Sequence, residues 1–309
     1  MIEVTELRKE FGETVAVDGA SFTVVQGEIF GLLGPNGAGK STTIGCISGL
    51  LKPSSGHVRV LGFDVVSDSI AAKSELGIVP QELALYEDLS ARENLAYWGN
   101  AYGLHGQDLK QRVVEVLEIC GLLDRADDVV KKFSGGMKRR LNFGCGIVHR
   151  PKVILLDEPT VGVDPQSRVR LLDLVRAEAN KGASVLYTTH YMEEAQELCD
   201  RLAIIDKGQV VAMGTLEELR GMMGERDLVR ISGTFDRTRT ETAVAALTGV
   251  ELVSVDEETL MLAAKQGSRL LPQLFACLSA AGAEVRETTL SRPNLENLFI
   301  KLTGRELRE

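Results

Sequence analysis

Gly34-Pro35-Asn36-Gly37-Ala38-Gly39-Lys40-Ser41 fits G-x-x-x-x-G-K-[ST], the pattern of a phosphate-binding loop. Gly37 and Gly39 lack Cβ atoms, so their backbone N–H groups can turn inward onto phosphate oxygens. Lys40 brings a compact positive charge to the β- and γ-phosphates, and Ser41 offers a hydroxyl to Mg²⁺. Upstream, residues 28–33 are an apolar run of strand length, and downstream residues 41–50 read as a helix. A strand–loop–helix order sets a positive helix N-terminus behind the phosphates. The stretch implies binding of a nucleoside triphosphate.

A chain of 309 residues accommodates one large domain or two smaller ones. Hydrophobic content of 44% and charged content of 26% are ordinary for a soluble globular protein, so the core needs no staples. A formal charge of −9 and a pI near 5.2 argue against a duplex-gripping surface. The densest basic stretch, Lys131, Lys132, Lys138, Arg139 and Arg140, reads as a solvated loop and helix start, with contact to phosphates as the alternative. Cys46, Cys120, Cys145, Cys199 and Cys277 are far apart and without zinc-like spacing. They read as small buried hydrophobes of a reducing compartment. Met1-Ile-Glu-Val-Thr-Glu6 lacks the basic start and apolar segment of a signal peptide. No run approaches the about 18 apolar residues of a membrane span. The expectation is a soluble cytoplasmic chain that meets a membrane only through a partner.

Residues 2–33 read as three strands, with turns at Asp18-Gly19 and Gln26-Gly27. Phe11, between the first two, is by position a packing residue. Residues 57–61 and 75–80 are further strands, and Gln81 follows the second directly. Ser90-Ala-Arg-Glu93 is a capping box that opens a helix over 94–102, and residues 109–120 form another. Residues 84–150 are therefore mostly helical. Within them, Phe133-Ser-Gly-Gly-Met137 is either an N-cap turn or a second anion-binding helix start.

Val153-Ile-Leu-Leu156 ends in Asp157-Glu158. A buried strand ending in two carboxylates is costly unless they meet a cation or act chemically. Asp157 is placed to hold Mg²⁺, and Glu158 to polarise an attacking water. Asp164-Pro165 is an N-cap with a proline behind it, starting a helix to about residue 180. His190 ends the strand over 183–189, where ligands gather in open α/β sheets. Residues 202–214 read as a hairpin and 216–223 as a short helix ending in Gly224. Beyond it a β-α-β-β-α-β order suggests a ferredoxin-like α+β module over 225–309. That module holds 11 Lys/Arg against 13 Asp/Glu, so it offers no basic nucleic-acid face. Pro293 to Leu302 reads as a closing helix.

In this order the segments resemble the nucleotide-binding subunit of ABC transporters. The resemblance spans residues 1–224 and implies an α/β fold: a P-loop NTPase with a RecA-like core, an antiparallel β subdomain and an α-helical subdomain over about 84–150. It sets Asn36, Gly37, Ala38, Gly39, Lys40, Ser41 and Thr42 around the phosphates of ATP. It makes Gln81 the Q-loop glutamine on Mg²⁺, together with Ser41 and Asp157. Ser134, Gly135, Gly136 and Met137 match the signature motif, and Asp164 the D-loop aspartate. Glu158 becomes the catalytic glutamate and His190 the switch histidine, acting with Lys40. Phe11 matches the aromatic that stacks on adenine.

Phe133 and Met137 depart from the usual Leu and Gln, while Ser134, Gly135 and Gly136 are intact. The wording Ser134-Gly-Gly-Met-Lys-Arg-Arg-Leu-Asn142 and the ending Pro293-Asn-Leu-Glu-Asn-Leu-Phe-Ile-Lys-Leu-Thr-Gly304 look like the drug-resistance and ABC-2-type exporter branch. The resemblance implies two ATP-binding subunits, as a homodimer, closing head to tail on two ATP molecules. They would drive a separate integral-membrane permease from the cytoplasmic face of the membrane. An ABC-type ATPase acting on ribosomes or nucleic acid is the alternative, disfavoured by a single cassette, no sustained heptads and the net charge. A non-hydrolysing regulatory module is opposed by the presence of both Glu158 and His190.

Overall fold

Two sheets with different side-chain patterns enclose the helix that follows the phosphate-loop sequence. In this computed structural model, which describes residues 1–223, 226–265, 267–291 and 295–304, the chain divides into two units, Met1–Met213 and Gly214–Glu309. The first begins with β1 (Ile2–Phe11), β2 (Thr14–Val24), β3 (Ile29–Leu33), α1 (Lys40–Ile47), β4 (Ser55–Val60) and β5 (Phe63–Asp64). It continues with α2 (Ser69–Ser74), β6 (Leu76–Val79), α3 (Ala91–Ala101), α4 (Gly106–Ile119) and α5 (Gly135–Ile147). It ends with β7 (Val153–Asp157), α6 (Pro165–Asn180), β8 (Ser184–Thr189), α7 (Met192–Leu198), β9 (Arg201–Asp206) and β10 (Gln209–Gly214).

The alternating strands form an antiparallel sheet in the order β2-β1-β4-β5. The second sheet runs β10-β9-β3-β8-β7-β6, and its pairs from β9 to β6 are parallel. β3 and β8 are buried at every position, as strands covered on both faces must be. Ile44, Cys46 and Ile47 of α1 share one core with Ile2, Val24, Val58, Phe30 and Leu155 from the two sheets. The helical layer starts where expected. Ser90 Oγ accepts from Glu93 N at 3.2 Å while the Glu93 carboxylate accepts from Ser90 N at 2.8 Å.

Three details depart from expectation. Asp18-Gly19 is not a turn but lies inside β2, where the register against β1 shifts between Leu7 and Lys9; the hairpin turn is at residues 12–13 instead. α2 and α7 are too short to show a helical period, so neither was expected. The division falls after Met213. Gly224, the expected boundary, lies outside the described residues.

The second unit is built from α8 (Leu216–Met223), β11 (Arg226–Thr234), α9 (Arg237–Ala245), β12 (Val250–Val255), β13 (Thr259–Lys265), α10 (Gly267–Ala280), β14 (Glu284–Ser291) and α11 (Leu295–Thr303). Its antiparallel sheet has the order β12-β13-β11-β14. The period of two sorts β11 and β13 onto two faces. Val229, Ile231, Leu260 and Leu262 meet Val244 of α9 and Leu274 and Leu278 of α10, while Leu228 and Met261 meet Ile300 of α11. α8 packs on α11, which explains the earlier division. Pro293 and Asn294 of the expected closing helix lie outside the described residues.

One half-buried group couples the first unit to pH. His149 stacks on Tyr102 with ring centroids 3.6 Å apart, and its Nε2–H donates to Leu76 O at 3.0 Å. Burial pushes its pKa down from 6.5 to about 4. The folded state therefore holds this ring neutral where the unfolded chain would protonate it. Stability is unaffected by this group above about pH 6.5 and falls as pH drops from there towards 4. Denaturant midpoints between pH 7.5 and 5 should fall, and should fall less in His149→Gln.

Candidate active site

Three adjacent parallel strands, β3, β8 and β7, end on the same side of their sheet, and each delivers a different group there. β3 runs into the phosphate-loop sequence and β7 into Glu158, while His190 follows β8. This is the side of an open parallel sheet on which ligands bind.

The loop after β3 is clamped from two sides. Gly208 N, in the turn between β9 and β10, donates to Ala38 O at 3.0 Å, and Gly34 N donates to Thr189 O at 3.3 Å. Gly39 has φ 105°, and a Cβ there would come within 2.5 Å of Ala16 O, so no other residue fits. Lys40 is 4% exposed, and its Nζ donates to Gly34 O at 2.7 Å and Pro35 O at 2.9 Å.

Glu158 sits at the centre. Its Oε1 is 2.9 Å from Lys40 Nζ, and its Oε2 is 2.9 Å from His190 Nδ1. All three side chains are less than a tenth exposed, so the pairs are shielded from water. The backbone turns sharply here, with φ 44° at Glu158, a conformation that costs a non-glycine residue energy and clusters at functional sites. It is held by Thr188, whose O and Oγ1 accept from Glu158 N at 3.2 and 3.0 Å. The Thr188 hydroxyl also donates to Asp157 Oδ1 at 2.8 Å.

A cleft of about 460 Å³ opens over these groups. Of the expected residues, Asn36, Gly37, Gly39, Lys40, Ser41, Thr42, Gln81, Glu158 and His190 line it, and Ala16 and Val161 join them. Ala38 is buried beneath the loop, and Asp157 stands beside Glu158 at the strand end. Phe11, Ser134, Gly135, Gly136, Met137 and Asp164 do not line it. Phe11 is not a core residue: it is 48% exposed, with the Lys9 ammonium 4.8 Å from its ring centroid.

Ser134 caps α5 by accepting from Met137 N at 3.3 Å, which is the N-cap turn expected for this stretch. Asp164 caps α6 by accepting from Ser167 N at 2.9 Å, and Ser167 holds its carboxyl below the usual range. The two helix starts touch.

The basic stretch is not simply solvated. Lys138 pairs with Glu87 at 2.5 Å, and Arg140 donates to Cys120 O at 2.7 Å. Arg139 donates to Gln81 O and, at 2.9 Å, to Val161 O, tying α5 to both cleft-lining segments. Asn142 adds to this hold, accepting from Ala84 N at 3.0 Å and donating to Pro80 O at 3.3 Å. The cysteines are free, four of them buried and Cys277 half-buried.

The ABC transporter family profile matches residues 17–161. Over 311 aligned residues, covering all of both chains, the protein is 43% identical to the linearmycin resistance ATP-binding protein LnrL of Bacillus subtilis (strain 168). The chain belongs to the ABC transporter ATP-binding proteins. It is also 38% identical to the daunorubicin/doxorubicin resistance ATP-binding protein DrrA of Streptomyces peucetius, over 98% of this chain and 92% of that one. A solved ATP-binding subunit of an ABC transporter superposes with a TM-score of 0.67 at 32% identity, covering 72% of this chain and 93% of that one.

In this ABC ATP-binding protein, Thr188, Ala16 and Val161 do not stand out in the sequence, and Arg139 stands there only as one cation of the basic stretch. Thr188 and Thr189, two hydroxyls closing a buried strand just before His190, were the available signal. Gly136 has a requirement internal to the chain. It is buried, and an added Cβ would come within 2.0 Å of Ser167 Oγ and 2.5 Å of Ser167 Cβ. Gly136→Ala should lose about 1–3 kcal/mol of stability by overpacking. Ser167→Gly in the same chain should restore part of it, as thermal unfolding would register. Gly135 faces open space and owes nothing to this contact.

Proposed function

We propose that this chain is the ATP-hydrolysing motor of an exporter, with each hydrolytic site completed by a second copy. It acts on a separate integral-membrane permease from the cytoplasmic face of the membrane. The observation that carries the site is the simultaneous bonding of Glu158 to Lys40 and His190, at 2.9 Å each, beneath the phosphate-loop cleft.

ATP is seated with its phosphates on the backbone N–H groups of residues 36–41 and the start of α1. Lys40 exchanges the Glu158 carboxylate for β- and γ-phosphate oxygens. Glu158, still oriented by His190, then accepts a hydrogen bond from water and takes its proton as the oxygen attacks the γ-phosphorus. The bond from that phosphorus to the bridging oxygen breaks, giving ADP and phosphate. Lys40 and the helix start meet the charge that spreads over the phosphoryl oxygens.

Ser41, Gln81 and Asp157 supply a hydroxyl, an amide and a carboxylate, an oxygen set that fits Mg²⁺, an ion that keeps several waters and takes phosphate ligands. When bound, Mg²⁺ supplies charge neutralisation at the β- and γ-phosphates. Phe11 offers its exposed ring to adenine. Ser134, Gly135 and Asp164 are exposed and lie off the cleft, as groups serving a second copy's site would. A dimeric ATP-binding cassette solved in a post-hydrolysis state with ADP and Pi superposes with a TM-score of 0.63 at 25% identity, covering 70% of this chain and 99% of that one, and supports pairing of two copies. Among the described residues no helix is long and apolar enough to cross a membrane. The relatives named for drug resistance, and the Nod factor export ATP-binding protein I of Sinorhizobium fredii at 38% identity, support outward transport.

Purifying Glu158→Gln from membranes with ATP-Mg²⁺ tests this. Recovery of an integral-membrane protein with two copies of the chain is the expected result. Recovery of ribosomes or DNA-bound proteins instead would overturn the transport assignment and leave the ATPase assignment standing.

A further inference from the structure

Behind the Glu158–His190 pair lies a second buried carboxylate that the mechanism above does not use. Glu194, on α7, is 2% exposed. Its Oε2 accepts three hydroxyls: Thr160 at 2.9 Å, Tyr187 at 2.8 Å and Thr189 at 3.1 Å. Its Oε1 pairs with Arg168 Nε of α6 at 3.2 Å. The Arg168 guanidinium also lies over the Tyr191 ring, 4.9 Å from its centroid. Tyr191 N donates to Thr189 Oγ1 at 2.9 Å, and the Tyr191 and His190 rings are 4.0 Å apart. Burial, then the Glu194 charge, push the Tyr187 phenol well up, so it stays a donor.

A buried carboxylate is costly, and replacing such a group by apolar packing is often neutral or stabilising. Stability alone is therefore a weak reason for it. Its partners point to another reason. Thr160 lies two residues beyond Glu158, and Thr189 and Tyr191 flank His190. One carboxylate thus ties together the loops that carry both members of the pair.

We propose that Glu194 is a positioning residue that fixes the loop of His190 against the loop of Glu158 and so sets their 2.9 Å contact. The proposal rests on the reading of Glu158 and His190 as the hydrolytic pair. Arg168 brings the start of α6 into the same hold, so the helix capped by Asp164 and the loop of His190 move as one piece.

The test uses the full-length chain, with ATP turnover, affinity for a fluorescent ATP analogue and thermal midpoint read on each variant. Glu194→Gln puts an amide where three donors point. It should lower kcat about tenfold or more while analogue affinity stays within about twofold, because misplacement near 1 Å costs up to about 10²-fold and the phosphate loop is untouched. In a His190→Ala background the same change should cost less than about twofold, since the group it positions is gone.

A softer pair covers the case in which Glu194→Gln fails to fold. Thr160→Val and Tyr187→Phe each delete one hydroxyl from the same oxygen, but only Thr160 adjoins Glu158. Thr160→Val should lower kcat several-fold more than Tyr187→Phe. Equal losses from these two, or the same fold-loss from Glu194→Gln with and without His190, would overturn the proposal. If His190→Ala alone left kcat unchanged, the hydrolytic-pair reading would fail first, and that outcome is visible in the single variant.

Discussion

Replacing Glu158 by Gln should lower ATP turnover about 10²–10⁴-fold, the range a positioned general base contributes, while ATP should bind at least as tightly as before. The two effects have separate causes in the same contacts. Gln cannot accept the proton of an attacking water, which removes the chemical step. Gln is also neutral, so Lys40 loses the buried carboxylate now 2.9 Å away and turns more readily to phosphate. Single-turnover hydrolysis and equilibrium binding of a fluorescent ATP analogue would resolve the two. Loss of affinity together with turnover would mean that Glu158 serves the loop structurally.

Lys40→Ala has the opposite signature. It removes the positive charge under the phosphates and leaves the Glu158 carboxylate, 6% exposed, with His190 in place of two partners. Breaking a buried pair from one side costs about 3–5 kcal/mol of stability. Loss of a charge-assisted contact of about 1.5–3 kcal/mol corresponds to an affinity loss of roughly 10- to 100-fold. The double variant Lys40→Ala/Glu158→Gln separates them. It should regain much of the thermal stability, because no lone charge remains, yet bind ATP as poorly as Lys40→Ala.

The groups legible in sequence are those whose chemistry conflicts with their setting. Two carboxylates at the end of Val153–Asp157, a lysine in a glycine loop and a histidine ending an apolar strand each stand out against their neighbours. The groups that hold them do not stand out. Thr188 looks like any strand former, Glu194 like one of three acids in a short helix, and Arg139 like one cation in a basic run. Their roles come from partners far away in the chain, such as Thr188 with Glu158 or Arg139 with Val161. The fold follows the same division. Period-two and continuous apolar runs mark the strands, whereas the bulge in β2 and the docking of α8 on α11 depend on pairing across the chain.

In the proposed arrangement this cleft is one half of a site, completed by the exposed starts of α5 and α6 from a second copy. Sedimentation of purified Glu158→Gln, with and without ATP-Mg²⁺, tests it most directly. A monomer that becomes a dimer with two bound nucleotides when ATP-Mg²⁺ is added is the expected result. A chain that binds one ATP per copy and remains a monomer would contradict it.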